Sequence, residues 1–284
     1  MARRAEGSSP TLRGRELGRR LRELRKSAGL TAEQVAEHLA CSVAKISYME
    51  TGHRPATIRD VRDLSVLYKV KGPEREELMS LAKAAREKGW WQEYGDVPYS
   101  KYIGYEAEAA SIRNYESLFI PGLLQTDAYA LAVIQSAEPA ASADEVAQRA
   151  QVRAKRQALI TRTDPVSLWV IIDEAALRRR VGGPEVMRDQ LRRLVATRDM
   201  PHVTLQVIPF GVGVHPAMAG PFVILEFADP AVSDVVYVEN LAGDIYVEKS
   251  AQVGRFARIF ERLKEIALDP DDSLALIEHV LKEL

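Results

Sequence analysis

The sequence predicts two domains of different class: an N-terminal all-α bundle of five short helices and a C-terminal α+β domain with a mostly antiparallel sheet. Three observations predict this. Apolar residues recur at helical spacing as far as Ala85 and gather into strand-like runs from Val166. Charge divides the same way: residues 1–90 hold 19 Lys and Arg against 12 Asp and Glu, a net of +7, and the remainder holds 20 against 28, a net of −8. A length of 284 residues is long for one domain and comfortable for two. The divisions expected are a disordered basic arm over residues 1–11, a helical domain over 12–88, an aromatic-rich junction over 89–105 and the α+β domain over 106–284.

In the first domain, Leu17, Leu21 and Leu24 line one helical face, with Arg19, Arg20, Arg22, Arg25 and Lys26 around the rest. Thr31 is a good N-cap, and Gln34, three residues on, completes a capping box. Val35, Ala36 and Leu39 then share a face. The chain breaks at Ala40-Cys41 and restarts at a second N-cap, Ser42. Ile46 and Met49 give the new helix its apolar stripe, and Gly52 closes it. Two short helices joined by a tight turn, with a small, polar and cationic exposed face (Val43, Ala44, Lys45, Ser47, Tyr48), form a helix-turn-helix suited to a DNA groove. Thr31, Ser42 and Arg54 are placed to meet phosphates. Ile58, Val61, Leu64, Leu67 and Tyr68 mark a fourth helix, and Leu78, Leu81 and Ala82 a fifth.

The aromatic residues Trp90, Trp91, Tyr94, Tyr99, Tyr102 and Tyr105 gather with Gly95 and Pro98 in a hinge. They suit either packing between domains or the wall of an apolar ligand site. Glu106–Tyr115 reads as a short helix, Pro121-Gly122 as a turn, and Ala143–Thr161 as a long helix with a basic stripe at Arg149, Arg153 and Arg156. Ser167–Asp173 is a buried strand, and Val203–Pro209, Phe222–Phe227, Val235–Glu239 and Ile245–Glu248 are further strands. Helices are expected over Glu185–Arg198, Ala251–Ala267 and Ser273–Leu284. In the last two, Leu263, Ile266, Leu274, Ile277 and Val280 fit a dimer seam or a closed core.

Candidate ligand or partner residues are Trp90, Trp91, Tyr94, Arg113, Tyr115, Asp173, Arg178 and His215. Asp173 and Glu174 end a buried strand one turn before Arg178, which suits acid–base chemistry or a salt-bridged corner. His215 lies in the Gly-rich stretch Gly211–Gly220, either beside a pocket or exposed on a long hairpin. No nucleophile elbow, phosphate loop or dinucleotide fingerprint occurs, and the five histidines are scattered without metal-ligand spacing, so no catalytic residue, cofactor or metal is expected. The single cysteine, Cys41, permits no intrachain disulfide and fits a reducing cytoplasm. The start, Met1-Ala-Arg-Arg, lacks a signal-peptide core, and no stretch reaches transmembrane length.

The segment Leu17–Ala85 resembles the helix-turn-helix of the XRE (repressor/Cro-like) family. Ala36 matches its small residue at the helix contact and Ile46 its apolar anchor. Ala40 stands where that family usually has Gly, and Ala32 where it usually has Gln. Phe119–Tyr129, Trp169–Arg178, Gln206–Phe210, Gly220–Phe222 and Val236–Glu239 look like the landmarks of the uncharacterised C-terminal domain carried by many actinobacterial regulators, some described as antitoxin-like. The resemblance implies a transcriptional regulator that binds operator DNA as a homodimer. Its second domain would receive a small-molecule or small-protein signal. An antitoxin-like protein that neutralises a partner encoded nearby, and an enzyme with a DNA-targeting head, are the alternative classes.

Overall fold

The computed structural model describes residues 12–52, 54, 56–87, 89–94, 100–228 and 232–284. The expected basic arm (1–11) and the hinge residues Gly95, Pro98 and Tyr99 lie outside them. The chain divides into two compact units, Met1–Glu108 and Ala109–Leu284.

The first unit holds α1 (Leu12–Ser27), α2 (Ala32–His38), α3 (Val43–Glu50), α4 (Ile58–Leu67) and α5 (Gly72–Ala84). Their apolar faces meet in one core of Leu17, Leu21, Val35, Ala36, Ile46, Met49, Val61, Leu64, Leu78 and Ala82. Three helices begin on a hydroxyl cap. Thr31 and Gln34 form the capping box of α2, Ser42 accepts from the Lys45 amide at α3, and Thr57 with Asp60 makes a second capping box at α4. Gly18 sits where α1 crosses α3. A Cβ there would overlap the Met49 carbonyl oxygen and lie 2.9 Å from that of Glu50, so only glycine lets the two backbones approach this closely.

Ala40, in the turn between α2 and α3, has φ 48°. The turn therefore keeps its geometry without glycine, at the steric cost of an L-residue in the left-handed region. Replacing Ala40 by Gly is expected to raise stability by about 1 kcal/mol, read from the urea midpoint at unchanged m-value.

The unit extends past the expected five helices. A 3-10 turn over Trp90–Tyr94 and α6 (Ser100–Glu108) belong to it. Trp91 is buried, and its ring lies against Gly104, where an added Cβ would come within 3.2 Å. Trp90 meets Trp91 and Tyr94 edge-on, at 5.9 and 6.2 Å between ring centroids. Arg15 of α1 donates to the Tyr105 hydroxyl and lies over a tyrosine ring. These contacts pack the described aromatics against one another and against α1 within the first unit.

In the second unit, β1 (Ser111–Glu116) is followed by α7 (Asp127–Ala137), α8 (Ala143–Arg156), β2 (Ser167–Asp173), α9 (Glu174–Arg178), α10 (Pro184–Val195) and β3 (Val203–Ile208). Next come β4 (Phe222–Glu226), β5 (Val235–Val238), β6 (Ile245–Val247), α11 (Ser250–Ile266) and α12 (Pro270–Lys282). The six-stranded sheet runs β3-β2-β1-β4-β5-β6. It is mixed: β1–β2 and β2–β3 pair parallel, while β1–β4, β4–β5 and β5–β6 pair antiparallel. Three of the five pairings are antiparallel, so the sheet is mostly antiparallel as expected, while its β3-β2-β1 half is parallel. Helical crossovers, α7–α8 and α9–α10, return the chain to the same end and make their strands parallel, whereas β5 and β6 are joined by a short loop.

The expected helix over 106–115 is corrected outright. The α6 helix stops at Glu108, and residues from Ser111 form the central strand, with Tyr115 opposite Ile171 on one side and Phe222 on the other. The arginine in this strand is held by distant partners. Arg113 binds Glu226 and, at 3.2 Å, Glu261. One sheet face carries Tyr115, Ile171, Ile224 and Val236 against Phe260 and Leu263 of α11. Leu274, Ile277 and Val280 of α12 are likewise buried within the unit, so these helices close its core.

Candidate functional site

The helix α3 meets the requirements of a recognition helix. Ile46 and Met49 anchor it in the core, leaving Val43 (42% exposed), Ala44, Ser47 and Tyr48 (54% exposed) on the outer face. Val43 and Ser47, and Ala44 and Tyr48, are four residues apart, so they form two adjacent rows along one side.

Ion pairs fix both ends of α3. At its start, Lys45 Nζ lies 2.7 Å from Asp60 Oδ1, and Asp60 Oδ2 accepts from the Thr57 backbone N–H (2.9 Å) and hydroxyl (2.7 Å). Burial raises the Asp60 pKa, but the bonds from Lys45 and Thr57 outweigh it and hold this carboxyl below the ordinary carboxylate range. The bridge is therefore intact above that range and is lost as acid protonates Asp60. At the far end, Arg25 of α1 grips Glu50 through two bonds of 2.6 and 2.9 Å and donates a third to the Leu30 carbonyl at 2.8 Å. Lys45, expected to face the groove, is half-buried and turned to Asp60.

Much of the basic character of α1 is neutralised in the same way. Arg19 bonds Glu16 and Glu23, and Arg20 bonds Glu16 and Glu77. Arg22, Lys26, Arg54, Arg59 and Arg62 remain exposed. The Thr31 and Ser42 hydroxyls serve as helix caps, accepting from the Gln34 and Lys45 amides.

In the second unit, Tyr115, Asp173 and His215 converge. His215 is not on an exposed hairpin: its side chain is only 2% exposed. Its Nδ1 accepts the Ala217 N–H at 3.3 Å, which assigns the ring proton to Nε2. Nε2 faces the Tyr115 hydroxyl at 3.5 Å and Asp173 Oδ2 at 3.7 Å. Burial, followed by the Asp173 and Glu116 charges, pushes the Tyr115 hydroxyl pKa up, so it stays protonated. Asp173 also caps α9 by accepting from Ala175 N–H. Glu174 binds Arg178 (2.6 Å) and accepts the Phe210 N–H (2.8 Å), and Arg178 reaches on to Glu283. The acidic strand end is thus a hydrogen-bonded corner that fastens α9 to the end of α12.

The stripe Arg149, Arg153 and Arg156 turns inward. Arg149 pairs with Glu138, Arg153 donates to Gln125, and Arg156 is buried beneath Gly122. Sequence reading also passed over Asn114 and Glu116. Asn114 is 7% exposed, hydrogen-bonds Glu116, and leaves its Oδ1 without a partner. Burial and the nearby Glu239 charge push the Glu116 carboxyl up to about 8 against the Asn114 bond and the Arg153 charge. Among the described residues there is no cluster of three or more potential metal ligands, and no helix is long and apolar enough to cross a membrane.

A capped two-helix turn with an exposed second helix, followed by a separate mixed-sheet unit, defines a helix-turn-helix protein with an appended α+β domain. A helix-turn-helix domain model matches residues 16–78, and the model of a domain of unknown function (DUF5753) matches residues 99–279, well over half of the chain. The chain belongs to the DUF5753 family, as a helix-turn-helix regulator whose C-terminal domain is uncharacterised. No curated protein and no solved structure matches it. The DUF5753 match includes α6, which packs in the first unit.

Proposed function

We propose that this chain is a cytoplasmic, sequence-specific transcriptional regulator of the XRE type that reads operator DNA with α3. The observation that carries the reading is the outer face of α3: exposed, almost free of charge and held rigidly by Asp60 and Arg25 from the neighbouring helices. Two such heads on a homodimer would meet the half-sites of a symmetric operator. The second domain dimerises and receives a signal. The exposed apolar side chains of Phe210, Val214, Met218, Leu241 and Ile245 support an interface with a second copy or a small protein. The unpaired buried atoms of Asn114 and Arg153 support a small polar ligand.

The test replaces exposed residues, so that folding is left intact. Ala44→Glu with Ser47→Glu puts two carboxylates against the phosphates and base edges. This variant is expected to lose about 100-fold in affinity for DNA selected by the wild-type chain, at an unchanged circular dichroism spectrum. Unchanged binding in a gel-shift assay removes α3 as the reading element. Lys45 is a poor probe, because its replacement also disturbs Asp60 and the start of α4.

A further inference from the structure

The chemistry of α3 specifies what kind of base edge it can read. Bidentate recognition of guanine uses Arg or Lys, and that of adenine uses Asn or Gln. The sequence of α3, Val-Ala-Lys-Ile-Ser-Tyr-Met-Glu, contains no Arg, Asn or Gln. Its one cation is held 2.7 Å from Asp60, and Glu50 is locked to Arg25. The one amide side chain of α2, Gln34, has its oxygen bound to the Thr31 N–H at 2.9 Å. What remains on the outer face is the Val43 isopropyl, the Ala44 methyl and the Ser47 hydroxyl. Val43 and Ala44 occupy the first turn, the part of a recognition helix that meets base edges. The major-groove feature that matches two adjacent apolar side chains is the 5-methyl group of thymine.

We infer that α3 recognises its site chiefly through thymine 5-methyl groups packed against Val43 and Ala44, with Lys45 serving to position the helix. This rests on the DNA-binding reading above and deepens it. The recognised ligand is a duplex with methyl-bearing pyrimidines at the contacted positions. Its selectivity comes from apolar contact, with Ser47 adding a hydroxyl contact one turn further along.

The experiment uses the full chain. A random double-stranded DNA library is selected for binding, and the enriched site is resynthesised with each thymine in turn replaced by deoxyuridine. This keeps every hydrogen-bonding group and removes one methyl. At one or more thymines, deoxyuridine is expected to weaken binding about fourfold in fluorescence anisotropy, the loss expected for one buried methyl. In Val43→Ala the wild-type difference between thymine and deoxyuridine is expected to shrink towards unity at the thymine facing residue 43. A site that tolerates deoxyuridine everywhere overturns the inference while leaving the DNA-binding reading intact. So does a loss of the same size in wild type, Val43→Ala and Ala44→Gly, which would report DNA shape. Failure to enrich any sequence overturns both.

Discussion

Arg25→Ala is expected to destabilise the helix-turn-helix unit by about 3–5 kcal/mol, because it strands a buried carboxylate. Glu50 is only 8% exposed, and both its oxygens are occupied by Arg25, itself 13% exposed. The cost of the substitution comes mainly from Glu50 left without its partner in a poorly solvated site. The double variant Arg25→Met with Glu50→Met fills the space without charge and is expected to recover most of that loss. Hydrogen exchange at the amides of α3 reads the effect locally. Protection falls in Arg25→Ala and returns in the double variant if the penalty is an unpaired charge, and stays low in both if the pair is needed for its geometry.

The second large effect concerns pH. In the folded protein the Glu116 carboxyl keeps its proton up to about pH 8, whereas an ordinary glutamate releases it near 4.5. The folded state therefore binds the proton more tightly than the unfolded chain. The associated stability is fully present below about pH 4.5, declines as pH rises through that window, and is lost above about 8. Glu116→Gln keeps the shape and removes the titration. It is expected to match the wild type near pH 5 and to exceed it by on the order of 2 kcal/mol at pH 9. Urea unfolding at both pH values checks this. Equal differences at the two pH values would show that Glu116 ionises normally in the folded chain.

The helix-turn-helix was legible because its determinants are local. Caps at Thr31 and Ser42, the apolar pair Ile46 and Met49, and the closing Gly52 act within a few residues of each other, so spacing alone reveals them. What could not be read is what depends on residues far apart. Lys45 looks like a groove contact until Asp60, on another helix, is seen to hold it. The β1 strand reads as helix because Arg113, Asn114 and Glu116 break the apolar run expected of a central strand, and the partners of Arg113 lie 113 and 148 residues away. His215 gives no sequence sign of burial, since the groups that enclose it come from β1 and the end of β2. The bonds that Asp173 and Glu174 make to Ala175, Arg178 and Phe210 likewise give no sign in the sequence, because Phe210 lies 36 residues from Glu174.

The glycine at the crossing of α1 and α3 constrains how α3 can move. With backbone against backbone at Gly18 and an ion pair at each end, α3 is pinned at three points against sliding or rotation. Under the proposed function, a regulatory signal would have two routes: carry the whole helical unit as one rigid piece, or melt it. Amide exchange across α1 and α3 would then rise and fall together in every state the protein visits, while the affinity for DNA varies.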